Sequence, residues 1–204
     1  MFFIYFLLAM DELMCQSLAH ACILAIASEP CLHPGEHLKD RLKPSCSVEE
    51  GKVADGAFGT WLARGAELVV LGRYGDSTIV YLPSQDMFYY ASPCCLLSAS
   101  CPDKTALLGQ FVVDNDSTPR VLVYDLLRLQ GASCGDMPVR ERYACLQQLG
   151  SHLGSACTLQ WVGEVSVLLR ELRSGKFVLP HAIKGVMSLS SIPGRITLVR
   201  EKRE

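Results

Sequence analysis

The spacing of apolar residues divides the chain into strand-like and helix-like stretches, and the division is sharpest between Thr105 and Leu149. Phe111-Val112-Val113 is a short apolar run that ends in Asp114-Asn115-Asp116-Ser117-Thr118-Pro119. A second run, Val121 to Tyr124, continues to Leu127. Two apolar runs joined by Asx-rich residues predict a β-hairpin, because Asn and Asp side chains bond their own backbone and favour turns. From Pro138 the period changes. Val139, Tyr143, Leu146 and Leu149 recur at helical steps and predict a helix over 138–150. Val165, Leu168, Leu169 and Leu172 predict a second helix over 164–173, closed by Ser174-Gly175 with glycine just past the last turn.

The flanking regions follow the same logic. Ser77–Leu82 and Met87–Tyr90 read as another hairpin, led by Arg73-Tyr74-Gly75-Asp76 and tipped by Pro83-Ser84-Gln85-Asp86. Thr158–Val162 and Ile196–Arg200 read as strands, and Phe177–Leu179 as a short extended piece. Residues 91–104 form a Ser/Pro/Cys-rich loop, and residues 28–59 a loop-rich connector broken by Pro30, Pro34, Pro44, Gly51 and Gly56. The opening MFFIYFLLAM is too short to span a bilayer. It carries no cation and runs straight into Asp11-Glu12, which is unlike a secretory signal. Leu13, Cys15, Leu18, Cys22, Leu24 and Ile26 then keep a helical spacing. Residues 1–27 are therefore expected to be one or two hydrophobic helices packed on the domain, one of them over 11–27, without stable membrane insertion. A cleaved signal or membrane-contacting segment is the alternative. The expected organisation is a helical segment and connector over 1–50 and an α+β domain over 51–204.

Composition narrows the class. Of 204 residues, half are hydrophobic and a fifth charged, as in a globular chain. A net charge of −2 argues against a strongly basic, non-specific nucleic-acid binder, though a local basic cleft is compatible with it. The ten cysteines form no C-x-x-C pair, which removes support for a zinc ribbon or a thioredoxin-type motif. Most lie in apolar runs, as small buried hydrophobes do, so free thiols in a reducing compartment are expected. Cys31, His33, His37 and Cys46 form a loose cluster that reads as a Pro-containing loop with surface histidines rather than a metal site.

The central stretch also carries a family resemblance. Thr105-Ala106-Leu107-Leu108-Gly109-Gln110-Phe111-Val112 is followed by a polar turn, by Pro119-Arg120-Val121-Leu122-Val123-Tyr124-Asp125-Leu126, and by a helix bearing Arg140 and Arg142. Over about 45 residues this order resembles the nucleotidyltransferase domain of eukaryotic mRNA capping enzymes, a fold shared with polynucleotide ligases and the cap-binding domain of snurportin. The family pattern is T-L-L-D-G-E-hydrophobic, then R-Y-L-hydrophobic-Y-D-hydrophobic. Trp61-Leu62-Ala63-Arg64-Gly65-Ala66-Glu67 resembles W-K-A-D-G-T-R, and Lys184-Gly185-Val186-Met187 resembles D-G-hydrophobic-hydrophobic. Leu198-Val199-Arg200-Glu201 stands where the family has L-K-W-K. The resemblance covers about residues 60 to 200 and implies a twisted antiparallel sheet core with flanking helices, without the OB domain.

The resemblance also says what is missing. Nucleotidyl transfer needs a lysine amine to attack the α-phosphate, carboxylates for a divalent metal and cations for the triphosphate. The family's reactive lysine falls on Leu62, its strand glutamate on Gln110 and its later aspartate on Lys184. Leucine cannot attack phosphorus, and a neutral amide is a poor Mg²⁺ ligand. The resemblance thus implies no guanylyltransferase activity, no metal and no cofactor. It implies instead a non-catalytic protein that binds a nucleotide, a cap or an RNA 5′ end, and a protein partner, in the cytoplasm or nucleus. The residues it offers for binding are Trp61, Arg64, Arg73, Gln110, Lys184, Arg195 and Arg200, with Trp161 as a further stacking candidate. Trp161 in an apolar strand reads more readily as core, and Asp125 as a partner for Arg140 or Arg142. Two alternatives stay open: an active transferase using Lys52, which precedes Asp55-Gly56, and an interaction subunit with an empty cleft.

Overall fold

A computed structural model of the chain describes residues 27–30, 47–51, 53–91 and 95–199, with backbone alone at 27–30 and 47–50. The predicted helix over 11–27 and the Cys31/His33/His37/Cys46 cluster lie outside these residues, apart from Ala27, which opens a strand. The strands are β1 (Ala27–Pro30), β2 (Ser47–Gly51), β3 (Phe58–Ala63), β4 (Glu67–Tyr74), β5 (Ser77–Leu82), β6 (Met87–Ala91) and β7 (Thr105–Val113). They continue as β8 (Pro119–Leu129), β9 (Ala132–Ser133), β10 (Cys157–Leu159), β11 (Gly163–Glu164), β12 (Ile183–Leu189) and β13 (Arg195–Val199). The helices are α1 (Val139–Gln148), extended by a 3₁₀ turn at Leu149–His152, and α2 (Val165–Arg173).

The α+β architecture and both helices agree with the sequence pattern, but the strands form two sheets. The larger runs β1-β6-β5-β4-β7-β8-β10 with β9 on β8, and the smaller runs β11-β3-β12-β13-β2. Pairing is antiparallel except at β10 with β8 and at β2 with β13. Two strands, β1 and β2, fall inside the stretch predicted to be loop. Each is four or five residues long and lies at a sheet edge, where Pro30 needs no ladder hydrogen bond on its outer side. Strand β4 runs through Tyr74, so the hairpin turn is Gly75-Asp76 rather than the longer turn expected. Strand β10 ends at Leu159, although the Gln160 N–H still donates to the Val123 carbonyl of β8 at 2.8 Å.

Alternation along the strands builds the core. Val69, Leu71, Val80, Leu82, Leu107 and Phe111 face α1, packing with Leu146 and Leu149. Their neighbours Val70, Ile79, Tyr81, Ala106, Leu108 and Tyr124 face the second sheet and pack on Met187, Leu189 and Ile196. Burial on both faces explains why β4, β7 and β8 read as nearly continuous apolar runs. On the outer face of the second sheet, Trp61 and Val186 meet Val165 and Leu168 of α2. Close approach selects glycine at two points. A Cβ on Gly59 would lie 2.2 Å from the Met187 carbonyl oxygen, and one on Gly109 would lie 2.8 Å from that of Leu122. Cys101, Cys134 and Cys157 are free and buried, and burial pushes the Cys157 thiol up to about 12.

One buried ion pair joins α1 to both sheets. Arg142 is fully buried and donates from Nε and Nη2 to the two Asp125 carboxylate oxygens at 2.8 and 3.1 Å. Its other N–H groups donate to the carbonyls of Met137, Ser190 and Ser191 at 2.8 to 2.9 Å. All five donors of the guanidinium are thus used. Burial pushes the Asp125 carboxyl up, while Arg142 and the Leu126 N–H pull it back down. Removing one partner leaves the other charge buried and unpaired. Arg142→Ala is expected to lower stability by about 3–5 kcal/mol in urea unfolding, and an unchanged midpoint would show that the pair is not integral to the fold.

Candidate functional site

The two sheets are stitched together where β3 runs past β7. Strand β11 pairs with β3 only at Phe58 and Gly59, so beyond that point the outer edge of β3 has no strand neighbour among the described residues. Side-chain amides take the strand's place. Gln110 Oε1 accepts from the Ala63 N–H at 3.0 Å, and Gln110 Nε2 donates to the Trp61 carbonyl at 2.9 Å. Groups at positions i and i+2 point to the same strand edge, so this one primary amide, with its C=O and one N–H on the same side, takes the place of a ladder partner. The Ala63 N–H can only donate and the Trp61 carbonyl can only accept, which fixes the amide's orientation. The second Gln110 N–H donates to Gln160 Oε1 at 2.7 Å, and Gln160 Nε2 donates to the same Trp61 carbonyl at 2.7 Å. Both glutamines are at most 2 % exposed.

A second polar chain lies beside it. The Trp61 indole N–H donates to His181 Nε2 at 3.0 Å. An indole cannot accept there, so the imidazole proton sits on Nδ1 and points at Asp114 Oδ1, 3.2 Å away. Asp114 Oδ2 accepts from Arg120 Nε at 2.7 Å. The chain links β3, the β7–β8 turn and the segment that leads into β12. Neither Gln160 nor the His181–Asp114–Arg120 group was foreseen. Arg120 lies at a matched motif position, but the contacts that Gln160 and His181 make reach across 50 to 120 residues, which no local pattern signals.

The expected site residues separate into three sets. Arg64 and Lys184 come together. Arg64 is exposed in the β3–β4 turn, with its backbone N–H donated to the Ala182 carbonyl at 2.8 Å. Lys184 is exposed at an irregularity in the β12–β3 pairing, opposite the Leu62–Ala63 step. Leu62 itself is half-buried and packs into the apolar cluster between the sheets.

Trp61, Gln110 and Arg73 are placed differently from expectation. Trp61 is 6 % exposed, bonded to His181 and packed near Phe177, so it is a core residue rather than an open stacking plate. Trp161 packs in the same cluster against Phe177 and over Gly163, as its apolar setting implied. Gln110 is committed to the sheet junction and is not free for a ligand or metal. Arg73 pairs in register with Thr105, five residues from Gln110 along β7, roughly 17 Å away at strand rise. It also lies on the other face of that sheet.

The remaining cations are apart from the pair. Arg195 opens β13, at the end of the β12–β13 hairpin away from Lys184 and about 20 Å from it at strand rise. Arg200 and Lys52 lie outside the described residues. Of the two helix arginines, Arg142 takes Asp125, and Arg140 lies 4.8 Å over the Phe58 ring. Among the described residues, no group of three or more His, Cys, Asp or Glu is placed to hold a metal ion, and no helix is long and apolar enough to cross a membrane.

No protein-family model and no curated protein sequence matches the chain. Solved structures do. Mycobacterial DNA ligase D complexed with ATP and MES superposes with a TM-score of 0.51 at 15% identity, over 79% of this chain and 61% of the ligase chain. The ligase domain of Mycobacterium tuberculosis LigD superposes with a TM-score of 0.53 at 16% identity, over 78% of this chain and 60% of that one. The chain thus has the fold of these ligase domains and spans about three fifths of each ligase chain.

The stitch makes a direct prediction about a glutamate at position 110. A carboxylate at position 110 has no N–H for the Trp61 carbonyl or for Gln160 Oε1, and it sets oxygen against oxygen at both contacts. Gln110→Glu is expected to lower stability by about 1–3 kcal/mol in chemical denaturation. A variant as stable as the parent would show that the amide is replaceable at the junction.

Proposed function

We propose that the chain is a non-catalytic member of the nucleotidyltransferase fold that binds a nucleotide, a cap or another RNA 5′ end beside Leu62, with Arg64 and Lys184 on phosphate. The observation that carries this reading is Leu62. The resemblance puts the reactive lysine there, and an aliphatic side chain has no lone pair for phosphorus. Gln110 adds to it, because both of its N–H groups bond protein atoms and it offers no charge to a metal. Arg64 and Lys184 support the binding half of the reading: two exposed cations at adjoining backbone positions suit the oxygens of a phosphate chain. Because Trp61 is buried and the half-buried Trp161 packs against Phe177 and over Gly163, the reading rests on phosphate contacts and on apolar side chains such as Leu62 and Leu68, not on tryptophan stacking.

Incubation with α-labelled GTP or ATP and Mg²⁺ or Mn²⁺, followed by denaturing electrophoresis, is expected to leave no label on the protein. Titration calorimetry with the same nucleotides and a cap analogue is expected to show binding that weakens about tenfold or more in Arg64→Ala/Lys184→Ala, as loss of charge-assisted hydrogen bonds implies. Label that survives denaturation and vanishes in Lys52→Ala would make the protein a transferase and overturn the reading. Absence of binding by any of the ligands would overturn it in favour of a protein-interaction subunit.

A further inference from the structure

Arg73 belongs to a different place from the lip beside Leu62. Its register neighbours are Thr78 on β5 and Thr105 on β7. Residues directly opposite on adjacent strands share a face, so the arginine stem rises between two threonine side chains. Leu71, Val80 and Leu107 continue that face, and all three pack toward α1, away from the second sheet. The three polar residues are therefore on the reverse side of the large sheet.

Two of the three, the threonines, carry buried hydroxyls that are unsatisfied among the described residues. The Arg73 side chain is 8% exposed, and Thr78 and Thr105 are 2% and 0% exposed. Among the described residues, neither threonine hydroxyl has a hydrogen-bond partner. The acidic group nearest the guanidinium among the described residues is the Asp76 carboxylate, 3.9 Å from Nη2, beyond hydrogen-bond reach and on a side chain that lies in solvent. The Cys101 thiol borders the group, but burial pushes it up by more than the Arg73 charge lowers it, so it supplies no anion. Asp103, which also feels the Arg73 charge, accepts from the Gly75 N–H at 2.7 Å.

We propose that Arg73, Thr78 and Thr105 form an oxyanion site that takes a carboxylate group. A guanidinium fork matches a carboxylate in a bidentate manner, and each hydroxyl can donate to a remaining lone pair. One cation with Asp76 and Asp103 nearby suits a single negative charge better than a phosphate dianion. Ordered water would satisfy the hydroxyls but supplies no bidentate partner for the guanidinium fork, which Asp76 at 3.9 Å does not reach. The site stands independently of nucleotide binding, because it uses the opposite face of the sheet.

The test is titration of the full chain with sodium acetate, sodium phosphate and sodium chloride at matched ionic strength, followed by backbone amide NMR. Saturable shifts centred on residues 73, 78 and 105 are expected with acetate and not with chloride. Arg73→Lys keeps the charge and loses the fork, and should weaken acetate about tenfold. Thr78→Val/Thr105→Val keeps the packing shape and should weaken it as well, which guards against a variant that fails to fold. Equal shifts with chloride, an affinity unchanged in both variants, or no acetate shift would overturn the site in favour of bound water. Phosphate binding more tightly than acetate would overturn the assignment to carboxylate.

Discussion

A single side-chain amide decides how the two sheets of this protein meet. The outer edge of β3 presents an N–H and a carbonyl that no neighbouring strand among the described residues covers, and buried backbone groups must find partners. Gln110 supplies both partners from the opposing sheet through one primary amide, and Gln160 closes the remaining positions. The junction needs one acceptor and two donors from one planar group. Only an amide provides them, and a carboxylate at the same point would be repelled.

That requirement links packing to chemistry. The family resemblance sets this position against a glutamate and Leu62 against a lysine. In this chain the Gln110 side chain is closed into the scaffold, and Leu62 packs into the inter-sheet cluster. The other polar contacts serve the same end. Arg142 ties α1 and Asp125 to the carbonyls of Ser190 and Ser191, and the Trp61–His181–Asp114–Arg120 chain ties β3 to the β7–β8 turn. These polar groups hold elements together, and Arg64 and Lys184 are exposed at adjoining backbone positions of β3 and β12.

Much of this was legible residue by residue. The β7–β8 hairpin followed from apolar runs around an Asx-rich turn, and both helices followed from period and from Gly175, which adopts φ +68° past the end of α2. What could not be read was which side of a doubly buried strand faces which neighbour. β4 is apolar on both faces, so nothing in its sequence told that Arg73 points toward α1 and not into the cleft. Trp61 looked like a stacking plate because its covering residues, Val165, Leu168 and Phe177, come from a helix and a loop more than a hundred residues on. The edge strands β1 and β2 were hidden by their brevity and by prolines and glycines that an edge tolerates.

The measurement that tests the central claim most directly is native-state hydrogen exchange at the Ala63 amide, with and without Mg²⁺ and ATP or GTP. If Gln110 holds the sheets together as a ladder partner, the Ala63 N–H exchanges only through global unfolding, and its rate in Gln110→Glu rises with the loss of global stability. The added metal and nucleotide leave the junction closed. Fast exchange at Ala63 in the parent, or protection that appears only when metal and nucleotide are added, would mean that the junction opens in the native protein and that position 110 is available for ligand chemistry.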